Sequence, residues 1–115
     1  MSPQVTFNSA KGELLIEGRA IPEDPGMFFE PLSAWLKEYF KAPQKKTVVD
    51  IKLEYINSGS SKFILELFKI IKDNYLAGKD VLVNWHYEED DESLLELGEH
   101  YKNSFDFPFN LVEFI

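Results

Sequence analysis

Thr47-Val48-Val49-Asp50-Ile51-Lys52-Leu53-Glu54-Tyr55-Ile56 runs into Asn57-Ser58-Gly59-Ser60-Ser61, and from there into a long segment that ends near Tyr75-Leu76. The first of these stretches is rich in β-branched and aromatic residues, which pack well on a pleated surface and mark a strand. The second is small and polar, a turn whose hydroxyls can cap a helix. From Ser60 to about Leu76, the residues Ile64, Leu67, Phe68, Ile71 and Tyr75 recur at helical spacing. Phe63, Leu65 and Ile70 widen that stripe, so the helix is buried on more than one side. Gly78 follows where a left-handed C-terminal cap belongs.

Working outward, Val81–Tyr87 is the next strand, and the acidic loop Glu88–Asp91 leads into a third helix carrying Leu94, Leu97 and Tyr101. A last strand covers about Phe109–Phe114. On the N-terminal side, Phe28, Leu32, Trp35, Leu36 and Tyr39 give a helix from near Met27 to about Lys41, with Pro31 assigned to its first turn, where a missing amide costs little. Ile21-Pro22-Glu23-Asp24-Pro25-Gly26 breaks the chain before it. Val5–Phe7 and Glu13–Glu17 flank a polar, Gly-ended loop and read as a hairpin. The order is β-β-α-β-α-β-α-β, an α/β fold whose mixed sheet has a mostly parallel core and one antiparallel pair. With 115 residues, 44% of them apolar, there is material for one core and not for two, so residues 1–115 form a single domain.

Charge narrows the partners. Twenty acidic residues against twelve basic ones give a net charge of −8, which repels nucleic-acid phosphates and anionic lipid surfaces. Neither nucleic acid nor a membrane is therefore an expected partner. Cys is absent, which removes disulfides, thiolate nucleophiles and Cys-ligated metals. Met1-Ser2-Pro3-Gln4 lacks the charged and apolar regions of a signal peptide, and no apolar run approaches the roughly twenty residues that span a bilayer. The expected location is the cytoplasm.

Chemistry in open α/β sheets gathers at the carboxyl ends of the strands. Asn57-Ser58-Gly59-Ser60-Ser61-Lys62 stands there, at the start of the most apolar helix, where free amides and the helix dipole favour an anion. The turn either binds a ligand phosphate, carries a phosphate on a serine, or simply supplies an N-cap from Ser58 or Ser60. No Gly-rich phosphate-binding motif accompanies it. His86 beside Glu88–Asp91 offers too few ligands at no recognised metal spacing. Ser58, His86 and Asp50 make a nucleophilic triad only on paper, without a Gly-x-Ser-x-Gly elbow. No constellation supports an enzyme, and no cofactor is expected.

Several segments together resemble the SiaC-type regulatory phosphoproteins, small bacterial proteins with a STAS-like fold. They are Ile21-Pro22-Glu23-Asp24 with Trp35 in the following helix, Asp50 to Lys62, Val83-Asn84-Trp85-His86-Tyr87 with its acidic loop, and Phe107-Pro108-Phe109. The Tyr55-x-Asn57-Ser58 segment followed by Lys62 is the most specific part, and the resemblance covers nearly the whole chain. It implies a STAS-like regulatory domain whose Ser58 is phosphorylated by a Ser/Thr kinase of the histidine-kinase-type ATPase fold. A PP2C-type phosphatase reverses the modification, and Ser60 or Ser61 is the alternative acceptor to Ser58. It further implies that the unphosphorylated form binds and activates a diguanylate cyclase, promoting cyclic di-GMP synthesis. The expected contact surface joins Pro22, Glu23 and Asp24 to Tyr55, Asn57, Ser60, Ser61 and Lys62, and to Trp85 and Tyr87. The rival readings are a STAS-like module that binds a small ligand without covalent modification, a metal-dependent hydrolase built on His86, and a purely structural adaptor.

Overall fold

In the computed structural model the described residues are 4–20, 24–56 and 58–114, the side chains of 19, 20 and 58 excepted. Chain order is β1 (Gln4–Asn8), β2 (Glu13–Ala20), α1 (Pro25–Tyr39), β3 (Thr47–Ile56), α2 (Ser58–Leu76), β4 (Val81–Glu88), α3 (Glu92–Ser104) and β5 (Phe109–Phe114). The expected sequence of elements is the observed one. Several boundaries move: β2 runs on to Ala20, and two helices start earlier than expected. α1 begins at Pro25, because Asp24 caps it by accepting the Met27 amide at 3.2 Å. The proline at the tolerant first position is therefore Pro25, while Pro31 lies inside the helix on its exposed side. α2 begins at Ser58, two residues earlier than periodicity suggests, since its first residues are small and leave the apolar stripe only from Phe63 onward.

The sheet order is β1-β2-β3-β4-β5. β1 and β2 are antiparallel, with Val5 opposite Ile16 and Phe7 opposite Leu14. The other pairs are parallel, and Ile16, Ile51, Trp85 and Leu111 stand side by side across the sheet. Parallel crossovers are right-handed, so strands added one after another put every helix on the same face. Burial follows suit. In β3, Thr47, Val49, Ile51 and Leu53 are buried, while the alternate residues Val48, Asp50, Lys52 and Glu54 are not. One face of the sheet carries the helices and the other meets water. No described helix is long and apolar enough to cross a membrane.

Phe68 of α2 is the centre of the helical layer. Its ring lies edge-on to Tyr101 at 5.0 Å, Phe109 at 5.6 Å and Phe105 at 5.8 Å, and to Trp85 and Phe107 at 6.3 Å. α2 ends in a Schellman cap, with Gly78 at φ +93° donating to the Tyr75 carbonyl and Lys79 to that of Asn74. α3 is capped by the Asp91 carboxylate, which accepts the Leu94 amide at 3.0 Å. Against β4, α3 presents Gly98 to the Trp85 indole.

That contact yields a test in which two effects oppose each other. Alanine in a helix interior normally gains about 1 kcal/mol over glycine. A methyl on Gly98 would, however, lie 2.5 Å from Trp85 Cδ1 and 2.8 Å from both Trp85 Nε1 and Leu111 Cδ2. Trp85 cannot step aside, being fully buried and tied through Nε1–H to the Leu94 carbonyl at 2.9 Å. Overpacking of this kind costs about 1–3 kcal/mol, so Gly98→Ala is expected to lower stability by about 1–2 kcal/mol in urea unfolding. A variant as stable as the wild type would mean that α3 does not sit this tightly on β4.

Candidate functional site

Because all three crossovers run the same way, α1, α2 and α3 all begin at the carboxyl edge of the sheet. The α1 and α2 starts are in contact. The rings of Phe29 and Phe63 stack at 5.8 Å, nearly parallel, and the Gly26 backbone passes close enough that a methyl there would be 3.6 Å from Phe63 Cζ. Lys62 extends its ammonium over the Phe63 ring at 5.4 Å. From the other side the Tyr101 hydroxyl donates to the Ser61 carbonyl at 3.3 Å. The first turn of α2 is thus clamped between α1 and α3, and Ser58 is the helix residue that opens it.

The expected site residues divide on this frame. Asp24, Tyr55 and Lys62 are exposed at the carboxyl edge, Tyr55 by 49%, and Ser61 and Tyr87 are half-buried there. Two need correction. Trp85 is 1% exposed, because its side chain points to the helical face with Val81 and Val83, so it packs the core and offers no contact surface. Ser60 is fully buried in the clamped turn, so it fits neither a partner contact nor an acceptor, a dianion being far too costly there. Ser58 takes the first helical position by its backbone, and its side chain is outside the description, as are Pro22, Glu23 and Asn57 entirely. Met27, 77% exposed beside the α1 cap, belongs to the same edge and was not anticipated.

The open face of the sheet holds a second arrangement, of which sequence reasoning had paired only His86 with Asp50, in the paper triad. Asp50 Oδ1 accepts from Asn84 Nδ2 at 3.0 Å and pairs with His86 Nε2 at 2.9 Å, and Asn110 Nδ2 donates to Asn84 Oδ1 at 3.2 Å. The alternation of Asn84 and His86 with Val83 and Trp85 was the available signal. Ser58 lies eight residues beyond Asp50, with roughly 20 Å of strand between Asp50 and the end of β3. The paper triad of Ser58, His86 and Asp50 is therefore not assembled. Among the described residues no three His, Asp or Glu side chains form a group that could hold a metal ion.

A family model described as "SiaC family regulatory phosphoprotein" matches residues 1–114. An uncharacterized protein of Pseudomonas aeruginosa strain UCBPP-PA14 is 25% identical over 108 residues, spanning 94% of this chain and 86% of that one. Solved structures agree in fold. A chain in the crystal structure of the diguanylate cyclase SiaD with its activator SiaC from Pseudomonas aeruginosa superposes with a TM-score of 0.93 at 24% identity, covering 98% of this chain and 93% of that one. SiaC of Pseudomonas aeruginosa gives 0.90 at 22% identity, covering 98% and 91%.

The clamp on the α2 turn has a pH signature. Burial raises the Tyr101 phenol above its ordinary pKa of 10.0. The unfolded chain then loses this proton first, so the folded state is favoured below about pH 10 and loses that advantage as pH climbs toward the raised value. Urea midpoints of the wild type are expected to fall more between about pH 8 and about pH 11 than those of Tyr101→Phe, which loses the bond to Ser61 but has no phenol to ionise. Equal slopes in the two proteins would show that Tyr101 is not held in its buried place.

Proposed function

The chain belongs to the SiaC family of regulatory phosphoproteins, and from that premise we propose that it is a non-catalytic switch read by a diguanylate cyclase and set by phosphorylation of Ser58. The observation that carries the reading is the position of Ser58. It opens a 19-residue helix at the carboxyl edge of the sheet, one turn ahead of the exposed Lys62. A phosphate there adds a charge of about −1.5 to −2 at neutral pH. The helix dipole and the free amides of the first turn favour it, and Lys62 adds a cation. The chain's single arginine, Arg19, stands near the carboxyl end of β2, paired with Tyr55, and its side chain is not described. With the charge met at the helix end, the fold has little reason to rearrange, and the effect falls on the partner.

The partner surface in this reading is the edge around the α2 start, with Asp24, Met27, Tyr55, Ser61, Lys62 and Tyr87. Exposed apolar groups such as Met27 and Tyr55 supply contact area, and a dianion set among them must shed water on association. That cost weakens the complex by several kcal/mol where the phosphate is fully covered. The unphosphorylated form is then the one that engages and activates the cyclase, and cyclic di-GMP output falls when Ser58 is modified. A Ser/Thr kinase of the histidine-kinase-type ATPase fold and a PP2C-type phosphatase set the phosphorylation level. Support comes from the family match and from SiaC being an activator of SiaD in Pseudomonas aeruginosa.

Peptide mass spectrometry on protein isolated from its native cells, with and without phosphatase, tests the acceptor. One phosphatase-sensitive phosphate on Ser58 is expected, and none on Ser60. Purified phosphorylated chain is expected to bind the cyclase at least about tenfold more weakly than unphosphorylated chain in calorimetry. Equal affinities, or a phosphate found only elsewhere, would overturn the switch.

A further inference from the structure

The amino edge of the sheet, opposite the edge where Ser58 sits, carries a pocket of its own. Two loops meet there, residues 9–12 between β1 and β2 and residues 40–46 between α1 and β3. They are tied together: Gln44 Nε2 donates to the Ser9 carbonyl at 3.2 Å, and a methyl on Gly12 would lie 2.5 Å from the Lys46 carbonyl. Between these loops and the last turns of α1 is an open, preformed pocket of about 340 Å³. That is within the roughly 300–1,000 Å³ typical of small-ligand sites. One wall is aromatic. The Trp35 indole stacks on Phe7 at 3.7 Å, and Tyr39 lies parallel to it at 5.3 Å. Tyr39 is fixed by its hydroxyl, which is bonded to Thr47 Oγ1 at 2.9 Å and accepts the Gln44 amide at 3.2 Å. Trp35 and Tyr39 line the pocket and Phe7 does not, so the open side of this row of rings is theirs. Glu38 lines it too, its Oε2 held by Lys41 Nζ at 2.8 Å. Lys11, Lys45 and Lys46 are exposed on the same two loops, a concentration of cations on a chain whose net charge is −8.

We propose that this pocket binds a guanine nucleotide, its base against Trp35 and Tyr39, its Watson–Crick edge on the Glu38 carboxylate and its phosphates among Lys11, Lys45 and Lys46. The ligand follows from the chemistry of the walls. Aromatic side chains stack on any base, so the rings select a base without naming it. The carboxylate names it. A carboxylate accepts and never donates, with about four acceptor sites, of which Lys41 takes one. Guanine presents N1–H and N2–H side by side, two donors for one carboxylate. Adenine and cytosine set a bare ring nitrogen beside their amino group, and that lone pair is repelled. The lysines are point charges suited to phosphate. A neutral sugar would leave them unused, and a bare phosphate would leave the aromatic wall hydrated.

The probes are GTP, cyclic di-GMP, ATP and inorganic pyrophosphate, each titrated into isotope-labelled full chain and followed by NMR. The indole N–H of Trp35 reports on the site, and that of Trp85, buried and bonded to the Leu94 carbonyl, is the internal control. GTP, cyclic di-GMP or both are expected to shift the Trp35 indole and the amides of Ala10, Ala42 and Gln44, with at least about tenfold higher affinity than ATP. Whichever of the two binds more tightly identifies the source of the base, a mononucleotide or a cyclic dinucleotide. Binding is expected to weaken several-fold when salt is raised from about 0.05 M to about 0.3 M. Pyrophosphate is expected to leave the Trp35 indole unmoved. Glu38→Gln, a change at an exposed position that does not endanger the fold, should erase the preference for guanine over adenine and leave ATP affinity as it was. Lys45→Ala with Lys46→Ala should weaken both nucleotides, whereas Lys69→Ala, on the exposed side of α2, should weaken neither. ATP bound as tightly as the guanine ligands, Trp85 shifting along with Trp35, pyrophosphate moving the Trp35 indole as far as GTP does, an unchanged preference in Glu38→Gln, or no binding up to about 10 mM would each overturn the proposal. None of these results bears on whether Ser58 is phosphorylated, so the two readings fail separately.

Discussion

A strand joined to its parallel neighbour through a helix turns right-handed, and this chain adds β3, β4 and β5 in sequence order on the same side. The rest of the architecture follows. Every helix is forced onto one face, every helix N-terminus is delivered to one edge, and among the described residues no layer covers the opposite sheet face. That bare face has to live in water. It does so with hydrogen-bonded side chains laid across strands, Asp50 to Asn84 to Asn110, with His86 on the same carboxylate. The Lys52 ammonium rides over the Phe114 ring at 4.4 Å, its alkyl stem shielding an aromatic that would otherwise face solvent. Cross-strand pairs of this kind contribute about 0.2–1 kcal/mol each, enough to hold register on a face that apolar packing cannot police.

The two edges of the sheet are built differently. At the amino edge the loops are tied together. The Tyr39 hydroxyl bridges Thr47 Oγ1 and the Gln44 amide, Gln44 reaches back to the Ser9 carbonyl, and Lys79 donates to the Phe40 carbonyl at 2.6 Å and to Asn74. Gly12, at φ +69°, passes so near the Lys46 carbonyl that a side chain would collide. At the carboxyl edge, by contrast, the first turn of α2 is fixed from beneath by Phe29, Phe63 and Tyr101 while Tyr55, Lys62 and Met27 project outward. One edge is closed by its own side chains. The other is supported from within and keeps exposed side chains, which is the distribution a docking edge requires.

How much of this was legible in sequence depends on what kind of information each residue carries. Periodicity found every element, and the Asn57–Lys62 turn stood out because small hydroxylated residues between a β-branched run and an apolar helix have few other uses. The sidedness of residues near the turn was harder. Trp85 fitted two roles in sequence, a core anchor by its bulk and a contact residue by its place near the end of a strand. Yet Val81, Val83 and Trp85 alternate with Asn84 and His86, and period two settles which set faces the helices. Ser60 was indistinguishable from its neighbours by type, since only the approach of α1 and α3 buries it. Asp50 entered only the paper triad, because its partners come from strands more than thirty residues away. Pro31 was mistaken for the tolerated proline because Pro25, hidden in a Pro- and Gly-containing break, offered no apolar residue to mark the start of the helix.

Electrostatics alone puts a constraint on how the switch can work. The carboxyl edge is already acidic through Asp24, Glu54 and the Glu88–Glu92 run, so a partner that docks there is selected for positive charge. A phosphate on Ser58 would then draw such a partner closer at long range, and inhibition must come from a shorter-ranged effect. Desolvation provides one. A phosphate in the open turn keeps its water and is stabilised by the helix amides, whereas the same phosphate pressed against an apolar contact loses that water. The sign of regulation is thus decided by whether the partner covers Ser58 or stops short of it. A partner that stops short of the α2 turn would be held more tightly by phosphorylation, and one whose footprint extends across it would be expelled.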